Sequence, residues 1–233
     1  MKRLAVCFCC LALLLTASLT SLAADKGRTF TTKDGHQFVT STDGRRTIAL
    51  EPPASPFTQP ELPAGAYSIY DNFAVVYPLG LYWTWQAWTI SGPNSPLGFY
   101  AWPGMAFTPK VDATVTQIVI GAGWLDGNNQ LTISLNADSG GLPGDSLGSA
   151  TVSNFKEEPS CCQVKAGGFN IPVSAGTQYW VVVQPSGPDS DTWGGWYLSS
   201  ANETYLPFAE YSNGQWGAGT GVQGVFAVVG KKR

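Results

Sequence analysis

The chain has a single histidine and few charges of either sign. Charged residues make up 12% of its 233 residues, and His36 is the one histidine. A hydrolytic triad needs a histidine or lysine beside its nucleophile, and the one histidine lies outside the main domain. His36 follows Gly35 in a turn-forming stretch ahead of the main domain, so we interpret it as a turn residue. The sequence therefore argues against a histidine-dependent hydrolase.

Basic residues are especially scarce between residues 67 and 230. That span holds three lysines, no arginine and eleven acids, which gives it a net charge of −8. A surface of this sign repels a phosphate backbone, so nucleic acid is not an expected partner.

Cysteine is almost absent beyond the first ten residues. Cys7, Cys9 and Cys10 lie in the leading apolar segment, which leaves only Cys161 and Cys162. Two cysteines cannot form a structural zinc site. We predict a vicinal disulfide, because thiols rarely stay reduced in an oxidising compartment. Neighbouring Cα atoms lie about 3.8 Å apart, less than ordinary disulfides prefer, so the ring would be strained. Two buried thiols or a bond to another chain are the alternatives.

The sequence also lacks an apolar run of membrane-spanning length. Lys2 and Arg3 precede a short apolar stretch, Leu4 to Leu15, and a small-x-small site follows at Ser21-Leu22-Ala23. A span needs about 20 apolar residues. This pattern predicts a signal peptide over residues 1–23, with a retained anchor as the alternative. We expect a secreted or periplasmic protein whose mature chain has no membrane span.

Strand and turn signals are abundant. Leu131, Ile133 and Leu135 alternate with Thr132 and Ser134, Ile118 and Ile120 share one face of an extended chain, and turn-forming residues separate such runs. Period-2 alternation is typical of half-buried strands. About ten to twelve short strands are predicted. The expected fold is all-β, an antiparallel β-sandwich of jelly-roll type.

The region before the sandwich has a different composition. Two turn signals, Lys33-Asp34-Gly35 and Thr42-Asp43-Gly44, predict a small hairpin or meander, and a Pro-rich linker follows. We therefore divide the chain into a signal peptide (1–23), a leader segment (24–66), a β-sandwich domain (67–230) and a basic tail (231–233).

Four segments, in order, resemble the choice-of-anchor R domain of secreted and surface-anchored bacterial proteins. They are LTISLNADSGGLPGDSL, the pair Cys161-Cys162, SAGTQYWVVV and DTWGGW. The resemblance covers roughly residues 67–230 and implies an exported surface module. The family brings no established activity with it.

Several loops are rich in the oxygen ligands that calcium prefers. None of them has EF-hand spacing, and Asp and Asn are also ordinary turn formers. No cofactor is expected other than a structural calcium, for which the candidate ligands are Asp126, Asn128, Asp138, Asp189 and Asp191.

Aromatic residues in Gly-rich segments are the candidate ligand site. Exposed rings with nearby carboxylates suit sugar rings, so we predict a weak glycan-binding face; the alternative is that these rings cap the core. The leading hypothesis is a non-enzymatic module that binds glycan or another envelope component. A structural or protein-interaction domain is the second hypothesis, and a glycan-active hydrolase with two unidentified carboxylates is the third. The candidate residues are Trp193, Trp196, Tyr197, Trp216, Asp189 and Asp191.

Overall fold

The protein is an antiparallel β-sandwich, as the sequence predicts. The computed structural model describes residues 26–31, 35–50, 63–73, 82–156, 163–188, 190–199 and 206–233. These residues form strands and turns and contain no helix. Accordingly, no helix that could cross a membrane occurs among them. The all-β fold class is therefore confirmed.

Fifteen strands are present in the described residues. They are β1 (Lys26–Thr31), β2 (Gln37–Ser41), β3 (Arg46–Ala49), β4 (Tyr67–Asp71), β5 (Tyr82–Ser91), β6 (Trp102–Phe107), β7 (Ala113–Asp126), β8 (Gln130–Asp138), β9 (Pro143–Ser153), β10 (Gln163–Val173), β11 (Tyr179–Pro185), β12 (Trp193–Ser199), β13 (Leu206–Ser212), β14 (Gln215–Gly221) and β15 (Phe226–Lys232).

The strands form two sheets. The nine-stranded sheet has the order β1-β2-β3-β5-β12-β7-β15-β4, with β10 also paired to β7. The six-stranded sheet has the order β14-β13-β6-β11-β8-β9. The long strand β7 pairs with β10 and β15 over its first part and with β12 near its end, so it links the two halves of the larger sheet.

The main core lies between the two sheets. In β8 the predicted inward residues Leu131, Ile133 and Leu135 are all fully buried. They join one large cluster with inward residues of the nine-stranded sheet, such as Ile118 and Phe226. Burial of this much apolar surface is the main force that holds a sandwich of this size together.

The leader segment contributes strands to the larger sheet. Strands β1, β2 and β3 form the meander that the turn signals predict, and β3 pairs with β5, with Arg46 opposite Trp88. Phe38 is fully buried in a cluster that also contains Trp193. The predicted boundary at residue 67 therefore cuts through a sheet. Likewise, β15 extends to Lys232, inside the segment predicted to be a basic tail. Residues 51–62, which hold most of the Pro-rich stretch, lie outside the described residues.

Candidate functional site

Three of the predicted ligand-binding rings belong to the core. Trp193, Trp196 and Tyr197 lie on β12 and expose 2%, 0% and 0% of their surface. The backbone of β12 pairs with β5 on one side and with β7 on the other. The expectation that these rings form an exposed face is therefore wrong, and the alternative, that they pack in the core, describes them correctly.

The glycines beside these rings serve close packing. A Cβ atom on Gly194 would lie 2.9 Å from the carbonyl oxygen of Gly123, and a Cβ on Gly224 would lie 2.6 Å from the Trp196 indole. Trp196 Nε1 donates a hydrogen bond of 2.8 Å to the Val225 carbonyl. The Gly-rich segments around these tryptophans led to the prediction of exposed rings. In the structure, the glycines instead let backbones and rings approach each other closely.

The calcium candidates fall into two separate groups. Asp126, Asn128 and Asp191 meet in one loop cluster, where Asp191 Oδ1 accepts a 2.8 Å bond from the Asn128 amide and Asp126 Oδ1 accepts one from the Gly127 amide. These bonds stabilise turns. No group of three or more His, Cys, Asp or Glu side chains that could hold a metal ion is found in the described part of the chain, and Asp189 lies outside it. Calcium binding stays a prediction.

Asp138 lies at the other end of β8 and has a structural role. Its Oδ1 atom accepts hydrogen bonds of 2.7 Å from Trp180 Nε1 and from Gln178 Nε2, and its Oδ2 atom accepts one from the Gly141 amide. Slight desolvation would raise the pKa of Asp138, but these hydrogen bonds outweigh it and lower the pKa. Asp138 therefore joins the Trp180 indole on β11 to the loop that follows β8.

Two further predictions concern segments outside the described residues. Cys161 and Cys162 lie in the 157–162 gap, and the signal peptide lies within residues 1–25. The vicinal disulfide and cleavage after Ala23 both stay predictions.

Trp216 is the one predicted ring that does lie at the surface, and three unpredicted rings accompany it. We call Tyr100, Trp102, Tyr211 and Trp216 the aromatic strip. Trp102 and Tyr211 stack with centroids 4.3 Å apart and planes inclined by 15°. Tyr100 meets Trp102 edge-on at 5.4 Å, and Trp216 meets Tyr211 edge-on at 5.5 Å. All four rings are half-buried.

Strand pairing assembles the aromatic strip. Tyr211 lies opposite Trp102 on β6 and opposite Trp216 on β14. The β13–β14 turn fixes this register, because Asn213 and Gly214 have φ angles of 50° and 82°, as a two-residue type I′ hairpin requires. The Asn-Gly dipeptide is the sequence signal that would have placed Tyr211 beside Trp216.

The strip lies on the outer face of the six-stranded sheet. On β13, Phe208 points into the main core, whereas Ala209 packs in a small cluster on the other side. Alternation therefore places Tyr211 on the outer face with Ala209. The Trp216 ring covers Gly104, since its Cζ3 atom is 3.5 Å from where a Cβ of Gly104 would stand. Gly104 thus provides a flat floor beneath one side of the Trp216 ring.

A small charge cluster lies on the face of β13 opposite to the strip, because Glu210 shares the inward face of Phe208. We define it as Asp43, Arg45, Arg46 and Glu210, where Glu210 precedes Tyr211 on β13. Arg45 Nε is 3.0 Å from Glu210 Oε2 and 3.8 Å from Asp43 Oδ2. Among the described residues, Glu210 Oε2 is ion-paired with Arg45 but accepts no hydrogen bond. The Arg46 guanidinium lies 4.0 Å from the centroid of Trp88.

Burial dominates the electrostatics of Glu210. Only 4% of its surface is exposed, and the resulting desolvation raises its pKa to about 7, although Arg45 and Arg46 partly oppose the shift. The Arg46 pKa is lowered, again mainly by burial. The cluster contains two bases and two acids, so it carries no net charge when all four groups are ionised.

Comparison with known proteins finds distant structural similarity. No protein-family model matches the chain, and no curated protein matches it. The crystal structure of the cysteine protease and lectin-like domains of Cwp84, a surface layer associated protein of Clostridium difficile, is similar with a TM-score of 0.45 and 10% sequence identity. The similarity covers 85% of this chain and 46% of that one, so the chain spans less than half of the neighbour's length. A similarity of this size does not extend the neighbour's activity to this chain.

Proposed function

We propose that the protein is a non-enzymatic exported module that binds glycan weakly through the aromatic strip. The observation that carries the proposal is the set of four half-buried rings on the outer face of a rigid sheet. The predicted signal peptide supports export, and the resemblance to the choice-of-anchor R domain supports a place in the cell envelope.

The chemistry of the strip suits a carbohydrate. Sugar rings have apolar C–H faces that pack on aromatic rings, and their hydroxyl groups remain hydrated at a shallow site. Trp216 rests on Gly104 and is half-buried, so part of its ring stays accessible to a ligand. Residues with neutral polar side chains, such as Gln215 and Ser212, flank the hairpin turn beside it. These groups can exchange hydrogen bonds with hydroxyls without a large desolvation cost.

Weak affinity follows from the shape of the site. The strip lies on the outer face of a sheet, and such a face encloses little of a ligand. Dissociation constants on the order of micromolar to millimolar are therefore expected. Envelope modules commonly offset such weak affinity by presenting many copies, because linked sites raise the effective concentration of one another.

Affinity electrophoresis of the Trp216→Ala variant tests the proposal. Mature protein should migrate more slowly in gels that contain at least one polysaccharide of a panel of soluble glucans, mannans, xylans and chitin derivatives. Trp216→Ala should lose most of this retardation, because the variant lacks the outermost accessible ring of the strip.

Trp124→Ala is the matched control. Trp124 is a half-buried tryptophan on β7 of the other sheet, so its removal should cost comparable packing and leave retardation unchanged. Equal loss of retardation in both variants would show that general destabilisation, rather than the strip, is responsible. An absence of retardation for the parent protein across the panel would contradict the proposed function.

A further inference from the structure

The six-stranded sheet, on which the aromatic strip lies, has no basic residue in any of its strands. Strands β6, β8, β9, β11, β13 and β14 are described throughout, and they contain no lysine, arginine or histidine. Their ionisable carboxylates are Asp138, Asp145 and Glu210. Strand β14, which carries Trp216, has the sequence QWGAGTG and no charged residue. The sheet therefore presents hydroxyl, amide and aromatic groups to a ligand, together with carboxylates.

Resting on the proposed function, we infer that this site selects uncharged glycans and rejects anionic ones. Recognition of a carboxylate, sulfate or phosphate on a sugar usually relies on Arg or Lys, which form charge-assisted hydrogen bonds with the anion. Without such a partner, an anionic substituent loses water on binding and gains nothing in return.

The nearest bases do not alter this conclusion. Arg45 and Arg46 are joined to the sheet through Glu210, whose side chain is on the face opposite to the strip, and both already have partners. Arg45 contacts Glu210 and Asp43, and Arg46 lies over the Trp88 ring. To bind Arg45, an anionic glycan would have to displace the Glu210 carboxylate, which is only 4% exposed. Releasing Arg45 would leave that carboxylate buried without an opposite charge, at a substantial cost.

The selectivity can be measured on pairs of polymers that share a backbone. Hydroxyethylcellulose is compared with carboxymethylcellulose, dextran with dextran sulfate, and glycol chitin with carboxymethyl chitin, each in affinity gels at low ionic strength. The neutral member of a retained pair should retard the protein at a concentration at least tenfold lower than the anionic member requires.

The possible outcomes separate this inference from the proposed function. Retardation by the anionic member at an equal or lower concentration would overturn the inference and leave glycan binding standing. Failure of all six polymers and of the wider panel to retard the protein would overturn both.

A charge introduced beside the strip provides a second, independent test. Ala218 is exposed on β14, two residues from Trp216 and therefore on the same face. Ala218→Lys should raise retardation by the anionic polymers several-fold, and added salt should remove the gain. Asn170→Lys places the same charge at an exposed position on β10 of the other sheet and should leave retardation by the anionic polymers unchanged.

The neutral polymers serve as the reference for both lysine variants. Their retardation should be similar for the parent, Ala218→Lys and Asn170→Lys, provided that melting curves confirm equal folding. If Ala218→Lys leaves retardation by anionic polymers unchanged, or if Asn170→Lys raises it equally, charge at the strip does not set selectivity and the inference fails.

Discussion

At the residue scale, strand position separates two kinds of tryptophan. Trp196 lies on a central strand, is fully buried and donates its indole N–H to the Val225 carbonyl. Trp216 lies on the edge strand β14 and remains half-exposed over Gly104. Both residues have glycine neighbours, so local sequence does not distinguish them. The difference arises from the strands that pair with each segment.

Trp196→Ala should therefore destabilise the protein strongly. Removal of a buried tryptophan leaves a cavity and typically costs about 3–5 kcal/mol. The free energy of unfolding from urea titration should fall by that amount, whereas Trp216→Ala should cost about 1–2 kcal/mol because its ring is already half-exposed. A Trp196→Ala protein as stable as Trp216→Ala would contradict the assignment of β12 to the core.

Glu210 makes a prediction about the pH dependence of stability. Its pKa is raised from 4.5 to about 7 in the folded protein, mainly by burial. The folded state therefore binds a proton more tightly than the unfolded state does. The free energy of unfolding should consequently fall as pH rises from about 4.5 to about 7, by at most about 3 kcal/mol.

Glu210→Gln isolates this contribution, because glutamine resembles the protonated acid at every pH. The variant should match the parent near pH 4.5, exceed its stability at pH 8, and show a flatter profile between those values. The lost ion pair should cost little, because Arg45 is about half exposed. Parallel profiles for parent and variant, measured by urea unfolding at several pH values, would show that Glu210 does not titrate in this range.

At the element scale, the sequence predicted strands better than it predicted their partners. Alternation in β8 correctly identified Leu131, Ile133 and Leu135 as inward residues, because a half-buried strand imposes that period. The leader's turn signals likewise predicted the β1–β3 meander. The pairing of β3 with β5 could not be predicted, since it depends on tertiary contacts such as Phe38 against Trp193.

The leader strands should therefore be needed for full stability. A chain of residues 63–233 lacks β1, β2 and β3, and so exposes both the pairing edge of β5 and the Trp193 ring that Phe30 and Phe38 contact. Its melting temperature should fall well below that of residues 24–233, and it should aggregate more readily because an unprotected edge strand invites pairing. Equal melting temperatures would support the domain boundary that the sequence predicts at residue 67.

At the scale of the whole molecule, the spacing of strand and turn signals was sufficient for the fold class but not for the site. Many short alternating runs separated by turn residues correctly indicated an all-β protein. The aromatic strip joins Tyr100 and Trp102 to Tyr211 and Trp216, residues that approach each other only through the order of strands in the six-stranded sheet. Only the Asn213-Gly214 hairpin was visible locally. Non-local pairing therefore explains why three of the four rings were not predicted.

The position of β15 has a consequence for how the chain folds as it is made. This strand lies inside the larger sheet, between β7 and β4, and Phe226 pairs with Ile120, a residue synthesised about a hundred residues earlier. While the ribosome is still translating the first half, neither β7 nor β4 has its shared neighbour. The larger sheet thus stays open between β7 and β4 until translation has passed β15, so the complete sandwich can form only near the end of synthesis. A nascent chain whose larger sheet is still open is easier to thread through a translocation channel than a finished sandwich.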